Sequence, residues 1–131
     1  MQFPDELRYT KSHEWARIEG GLCRVGITDF AVEELNKEIV NVDLPELGAS
    51  VRQNETFGIL DAVKAAYDLY APMSGQVAAV NQAILNDPTL VAMSPYEDGW
   101  MIQIRISNPA EAQKLLDAEG YRKQIESEKE E

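Results

Sequence analysis

The amino-acid sequence predicts a mainly β fold with short helices and a C-terminal helix. Apolar residues recur with period two between Gly, Pro, Asn or Asp residues, which is typical of half-buried strands joined by turns. These apolar runs cover residues 22–27, 39–44, 57–63, 76–80 and 100–106. A chain of 131 residues buries a modest core without metal or disulfide links. We therefore predict one domain over residues 1–125 and a charged, frayed tail over residues 126–131.

Capping patterns predict the helices. Thr28 can cap a turn through residues 29–35, and Asp87-Pro88 can start a second short helix. Asn108-Pro109 supplies an N-cap and a proline at the first helical position. An apolar stripe follows, formed by Ala112, Leu115 and Leu116. Because Gly120 follows this stripe, we expect a C-terminal helix before it that packs on the sheets.

The charge balance limits the classes of partner. The net charge is −11, from 23 acidic and 12 basic residues, which opposes binding to nucleic acid or to an anionic membrane and favours basic docking faces. The sequence contains no apolar span of membrane length and no signal or transit pattern. We therefore expect a cytoplasmic protein, or one from the mitochondrial matrix if a presequence was removed.

The single cysteine and the single histidine leave little material for side-chain catalysis. Cys23 falls on the same face of a predicted strand as Val25 and Ile27, so we expect a buried structural thiol. A resolving thiol is the alternative. His13 alone cannot form a metal cluster, and we expect no metal site and a structural role for this ring.

One lysine interrupts an apolar, strand-like stretch. Lys64 lies between a run that ends at Val63 and a run that resumes at Leu69, and this pattern predicts an amine at the tip of a hairpin. Asp61 and Asp68 flank the lysine by three and four residues. These carboxylates can keep the ammonium soluble and offer a charged surface to an enzyme that modifies it.

The stretch around Lys64 resembles the attachment site of lipoyl carriers, and more narrowly that of glycine cleavage system H proteins, in which lipoic acid acylates the lysine. Biotin carriers share the hairpin but bracket their lysine with methionines, so Val63 and Ala65 argue against biotin. Further landmarks of the H-protein family occur in the same order along the chain. They are residues 9–15, 25–31, 44–48, 94–100 and 115–118.

The resemblance implies a lipoyl-domain-like, hybrid flattened β-barrel or sandwich that carries lipoyl-Lys64 and is not itself a catalyst. Glycine decarboxylase (P protein) would load an aminomethyl group onto the arm, and aminomethyltransferase (T protein) would pass its carbon to tetrahydrofolate. Dihydrolipoamide dehydrogenase (L protein) would reoxidise the arm. A lipoate ligase or a lipoyl/octanoyl transferase would attach the lipoyl group.

The resemblance also implies a cleft that receives the loaded arm. Ser12, Glu14 and Asp68 match family positions associated with that cleft, where an acid can hold an amine as a cation. For Glu14, an exposed carboxylate at a strand edge is the alternative, and Asp68 can equally be a solvated acid.

Three departures from the family pattern keep other functions open. Asp61-Ala62 replaces the usual Glu-Ser, Asn36-Lys37 replaces a common glycine, and Asn41 stands where an aromatic residue is usual. Asn36 is expected to adopt the left-handed conformation that glycine would supply. The alternatives are an H-like lipoate-binding carrier recruited to sulfur-compound oxidation or to a lipoyl relay, and a binding module without lipoyl.

Overall fold

Two antiparallel sheets form most of the molecule in the computed structural model, which describes residues 1–129. The strands are β1 (Arg8–Tyr9), β2 (Glu14–Glu19), β3 (Leu22–Ile27), β4 (Ile39–Asp43), β5 (Ser50–Val51), β6 (Thr56–Ala62), β7 (Ala66–Tyr70), β8 (Gly75–Val80) and β9 (Ile102–Ile106). One sheet has the order β1-β2-β3-β9-β8-β5 and the other β4-β6-β7. This arrangement confirms the predicted mainly β fold.

The main core lies where the inward faces of both sheets meet. In β3, Cys23 and Val25 point inward opposite Ile104 and Ile102 of β9, as the alternation of side chains along a strand requires. The smaller sheet contributes Leu60 to the same apolar cluster. Cys23 is fully buried, which confirms the prediction of a buried thiol.

A second, aromatic cluster fixes the N-terminal segment. Tyr9 stacks on Tyr121 with ring centroids 4.7 Å apart, and the fully buried Trp15 donates from Nε1 to the carbonyl oxygen of Pro95 at 2.9 Å. The indole also covers Gly26, since a Cβ built there would lie 2.6 Å from the ring. Glycine is therefore required at this position in β3.

Short helices connect the strands. They are α1 (Asp29–Glu34), α2 (Gln82–Asn86) and α3 (Thr89–Met93). As predicted, Thr28 caps α1 by accepting a hydrogen bond from the amide of Ala31 at 3.2 Å, and α3 follows Asp87-Pro88. Asn36 has φ +56°, which confirms its left-handed conformation. The sequence analysis missed α2, whose N-cap is Asn81.

The C-terminal helix lies later in the chain than predicted. Residues Pro109–Lys114 form only a 3₁₀ helix, and the α-helix α4 covers Ala118–Lys129 and contains Gly120. The predicted position was wrong because Leu116 pairs with Tyr9 through two backbone hydrogen bonds of 2.8 Å. This bridge interrupts any helix that starts at residue 109. A new helix then starts after Asp117, which accepts from the amide of Gly120 at 2.8 Å.

Residues 126–129 of the predicted tail continue α4. The predicted domain end at residue 125 therefore falls within this helix. Glu128 lies 3.3 Å from Nε2 of His13, and this contact ties the last turn to the start of β2. Residues 130–131 of the predicted tail lie outside the described residues.

Candidate functional site: a lysine hairpin and the adjacent cavity

Lys64 lies at the tip of the β6–β7 hairpin, in a turn with two central residues. The amide of Ala62 donates to the carbonyl oxygen of Ala65 at 2.9 Å, and the amide of Val63 donates to the carbonyl oxygen of Glu38 at 3.0 Å. Neither Val63 nor Lys64 has a positive φ, so the turn needs no glycine. Both side chains are exposed, Val63 at 68%. The hairpin thus holds the lysine backbone from two sides and leaves its side chain in solvent.

The two flanking carboxylates lie on the outer face of the small sheet. Asp61 stands opposite Asn41 and Ala66, and Asp68 stands opposite Ile59. Within residues 1–129, no carboxylate oxygen lies within 4.0 Å of Lys64 Nζ. The nearest partner of the Asp61 carboxylate is the side-chain amide of Asn41 at 3.5 Å. The amine is therefore free of a local ion pair.

A cavity of about 140 Å³ lies beside the same hairpin. It is lined by Ser12, His13, Glu14, Ile27, Ala31, Glu34, Leu35, Leu60, Tyr67, Asp68 and Leu69. The structure thus places Ser12, Glu14 and Asp68 along one cavity, although the Asp68 side chain belongs to the outer face of the small sheet, whereas Asp61 and Lys64 are not part of the lining. Tyr67 is three residues from Lys64, which is about 10 Å along an extended strand.

Glu14 is the buried acid of this cavity, with 1% of its surface exposed. Oε1 accepts hydrogen bonds from the hydroxyls of Thr10 and Ser12, both at 2.6 Å, and Oε2 accepts from the amide of Tyr70 at 3.1 Å. Burial raises the pKa of Glu14, and the three hydrogen bonds oppose this rise. The alternative of an exposed edge carboxylate is wrong because β7 and the loop before β2 cover the side chain.

His13 forms one wall of the cavity and contacts α4. Its backbone is left-handed, with φ +76°, and Nδ1 lies 2.8 Å from the hydroxyl of Tyr121. Burial lowers the pKa of His13, while the carboxylates of Glu128 and Glu34 oppose this shift. The ring thus connects the cavity to the C-terminal helix, in line with the predicted structural role.

The sequence analysis missed two polar residues that line this cavity, Glu34 and Tyr67. Glu34 lies one turn after Ala31 in α1, and the helical spacing of three was the available signal. Tyr67 shares a face of the small sheet with Leu60, its direct partner across the strands. That pairing depends on the register of the hairpin, and the predicted turn at Lys64 could have indicated that Tyr67 pairs with Leu60.

The cysteine does not belong to this site. Cys23 lies in the main core, outside the residues that line the cavity. Burial raises the pKa of its thiol to about 12. A resolving role needs an accessible thiolate, so nothing in this geometry supports that alternative.

Comparisons with known proteins identify the family of this chain. Residues 7–128 match the family described as "Glycine cleavage H-protein". The glycine cleavage system H protein of Brevibacillus brevis is 49% identical over 121 residues, covering 92% of this chain and 95% of that protein. That of Anoxybacillus flavithermus is 50% identical over 125 residues, covering 95% and 98%. The crystal structure of the H protein from Mycobacterium marinum aligns with a TM-score of 0.84 at 37% identity and covers 94% of this chain and 98% of that chain. The chain therefore belongs to the glycine cleavage H-protein family.

Proposed function

We propose that Lys64 is the lipoyl attachment site of this H protein and that the cavity beside the hairpin receives the loaded arm. As a family member, the chain is the lipoyl carrier of the glycine cleavage system and not a catalyst by itself. It carries an aminomethyl group from glycine decarboxylase to aminomethyltransferase, and dihydrolipoamide dehydrogenase then reoxidises the lipoyl arm. The single observation that carries the proposal for Lys64 is its exposed position in the hairpin turn.

The local geometry supports acylation at Lys64. An enzyme that modifies the amine must reach it without first breaking an ion pair, and no carboxylate holds it within the described residues. The hydrogen bond from Val63 to Glu38 fixes the turn, so the modifying enzyme meets the lysine backbone in one conformation. The lipoyl group, once attached, supplies thiol–disulfide chemistry that no side chain of this protein offers.

The cavity supports protection of the carried group from water. Ile27, Leu60 and Leu69 give it apolar walls, and a closed apolar site excludes water. Glu14 supplies the one buried carboxylate, whose geometry is fixed by three donors. A carboxylate held in this way can accept a charge-assisted hydrogen bond from an amine. Ser12 orients Glu14, and Asp68 lies at the cavity rim in this proposal.

The outer acidic face supports recognition by the attaching enzyme, a lipoate ligase or a lipoyl/octanoyl transferase. Asp61 lies two residues after Ile59 on β6, and Asp68 is the direct partner of Ile59 on β7; the Ile59 side chain is exposed. Acidic groups around an apolar residue favour a partner with a basic rim. Asp61→Asn and Asp68→Asn should slow attachment, whereas Asp5→Asn, at a distant exposed site, should leave its rate unchanged. Equal rates in all three variants would exclude this role.

A cytoplasmic location is also part of the proposal. The relatives compared here are bacterial proteins. Within residues 1–129, no helix combines the length and apolar character that crossing a membrane requires.

The decisive experiment joins modification to carrier activity. The protein is lipoylated enzymatically, the modified residue is located by peptide mass spectrometry, and glycine–bicarbonate exchange by glycine decarboxylase is measured. For the wild type, we expect lipoyl on Lys64 alone and glycine–bicarbonate exchange. For Lys64→Arg, we expect no lipoylation and no exchange. Lys114→Arg, at another exposed lysine, should behave as the wild type.

Two outcomes would contradict the proposal in different ways. Lipoyl on another lysine would refute the assignment of Lys64. Full lipoylation at Lys64 without exchange would favour the H-like carrier recruited to sulfur-compound oxidation or to a lipoyl relay. The cavity has its own test, because Glu14→Gln should hasten loss of the carried group to water while leaving lipoylation unchanged.

A further inference from the structure

A second, polar cavity lies on the outer face of the six-stranded sheet, which does not contain the lysine hairpin. Its volume is about 280 Å³, and it is lined by Arg17, Glu19, Leu22, Arg24, Glu97 and Gln103. Arg17 of β2 is the direct partner of Arg24 of β3, and Arg24 is the direct partner of Gln103 of β9. Because Cys23 and Val25 point into the core, these three side chains share the outer face. They form a row of hydrogen-bond donors across three adjacent strands.

This row is electrostatically unfavourable when nothing occupies the cavity. Like charges directly opposite one another on a sheet are destabilising, and the Arg17 side chain is only 27% exposed. Among residues 1–129, its one carboxylate contact is Glu97 at 3.8 Å, and the Glu97 side chain is 77% exposed. Such a contact is long and well solvated, so it offsets little of the repulsion.

Arg24 has no such partner. Within the described residues, no carboxylate lies within 4.0 Å of its guanidinium. The guanidinium carbon instead lies 4.8 Å from the centroid of the Trp100 ring. Stacking occupies the face of the guanidinium and leaves its edge donors available for hydrogen bonds. Trp100 thus orients a cation beside the cavity without neutralising it.

We propose that this cavity binds a small oxyanion, with a carboxylate or phosphate group between Arg17, Arg24 and Gln103. Each guanidinium group can donate two parallel hydrogen bonds to a pair of oxygens of a carboxylate or phosphate, and the glutamine amide adds a further donor. The volume lies just below the range of about 300–1,000 Å³ typical of drug-sized ligands, which suits a small metabolite. Glu97 competes weakly for Arg17, and Glu19 limits how much negative charge the rim tolerates.

The test uses the full-length, unmodified protein, so its outcome does not depend on lipoylation. Inorganic phosphate and acetate are titrated separately at constant ionic strength, and Trp100 fluorescence and the NMR signals of the arginine and glutamine side chains are followed. We expect a saturable response at Arg17, Arg24 and Gln103. If phosphate binds more tightly than acetate, the natural ligand carries a phosphate group. If phosphate and acetate bind with comparable affinity, the site is assigned to a carboxylate ligand.

Variants separate a binding site from a structural arginine. Arg24→Gln should weaken binding about tenfold, equivalent to about 1.4 kcal/mol, and should leave thermal stability unchanged or raised because the repulsion is gone. Glu97→Gln should tighten binding. Arg105→Gln is the matched control, since Arg105 lies on β9 outside this cavity. A response that does not saturate, or equal weakening in Arg24→Gln and Arg105→Gln, would overturn the proposal.

Discussion

Replacement of Glu14 tests how the cavity is held together. The carboxylate accepts three hydrogen bonds, from Thr10, Ser12 and the backbone of Tyr70. Glu14→Ala removes all three, at about 1 kcal/mol each, so we expect a loss of about 3 kcal/mol in the free energy of unfolding. For a chain of this length, that loss lowers Tm by roughly 10 °C.

Glu14→Gln should behave differently, because an amide can keep these contacts. Its oxygen can accept from the amide of Tyr70, and its NH₂ group can donate to the hydroxyls of Thr10 and Ser12. It also removes the need to bury a charge. Since burial raises the folded-state pKa of Glu14 above its ordinary value of 4.5, the wild type loses stability as the pH rises from 4.5 through that raised pKa. The glutamine variant should match the wild type below pH 4.5 and equal or exceed it at pH 7.

Urea denaturation followed by circular dichroism and tryptophan fluorescence measures these differences at several pH values. The reasoning fails if the alanine and glutamine variants lose the same stability at pH 7. It also fails if the difference between the wild type and Glu14→Gln does not change with pH. Unchanged m-values would show that both variants alter stability and not the extent of unfolding.

Three further predictions concern single side chains. Gly26→Ala should cost about 1–3 kcal/mol because its Cβ would overlap the buried Trp15 ring, and an unchanged Tm would contradict this packing. Because burial lowers the pKa of His13 below 6.5, the stability of the wild type should fall as the pH drops below 6.5. His13→Asn, which tolerates the left-handed backbone, should flatten this fall. Parallel pH profiles of the two proteins would count against this role of His13. Cys23 should resist thiol reagents in the folded protein at pH 7, since its thiol is buried, and rapid labelling without denaturant would argue otherwise.

Sequence patterns predicted the features that depend only on residues close together in the chain. Strand β3 was predicted at its observed bounds because period-two alternation continues to Thr28, whose cap then starts α1. The exposed position of Lys64 followed in the same way from one charged residue between two apolar runs. Asn36 could be assigned a left-handed backbone because few residues other than glycine accept it.

Contacts between segments distant in sequence determine the features that the sequence did not predict. The backbone pairing of Leu116 with Tyr9 displaced the C-terminal helix, and no pattern within residues 108–120 reveals that pairing. Likewise, the sequence left open whether Glu14 is an acid of the cleft or an exposed carboxylate at a strand edge. Glu14 is buried because Tyr70 of the other sheet hydrogen-bonds to it. The row of Arg17, Arg24 and Gln103 depends on strand register, which the sequence pattern does not specify.

The hydrogen bond from Tyr70 to Glu14 has a consequence for the order of folding. It joins residues 56 positions apart, whereas the turn around Lys64 closes between residues 62 and 65. Since the entropic cost of closing a loop grows with its length, the turn can form early, while the cavity forms only when β7 has met the segment that begins β2. A partly folded chain can therefore display its lysine before it has any shelter for the arm. Loosening of the long-range contacts would then remove the shelter before it removes the attachment point.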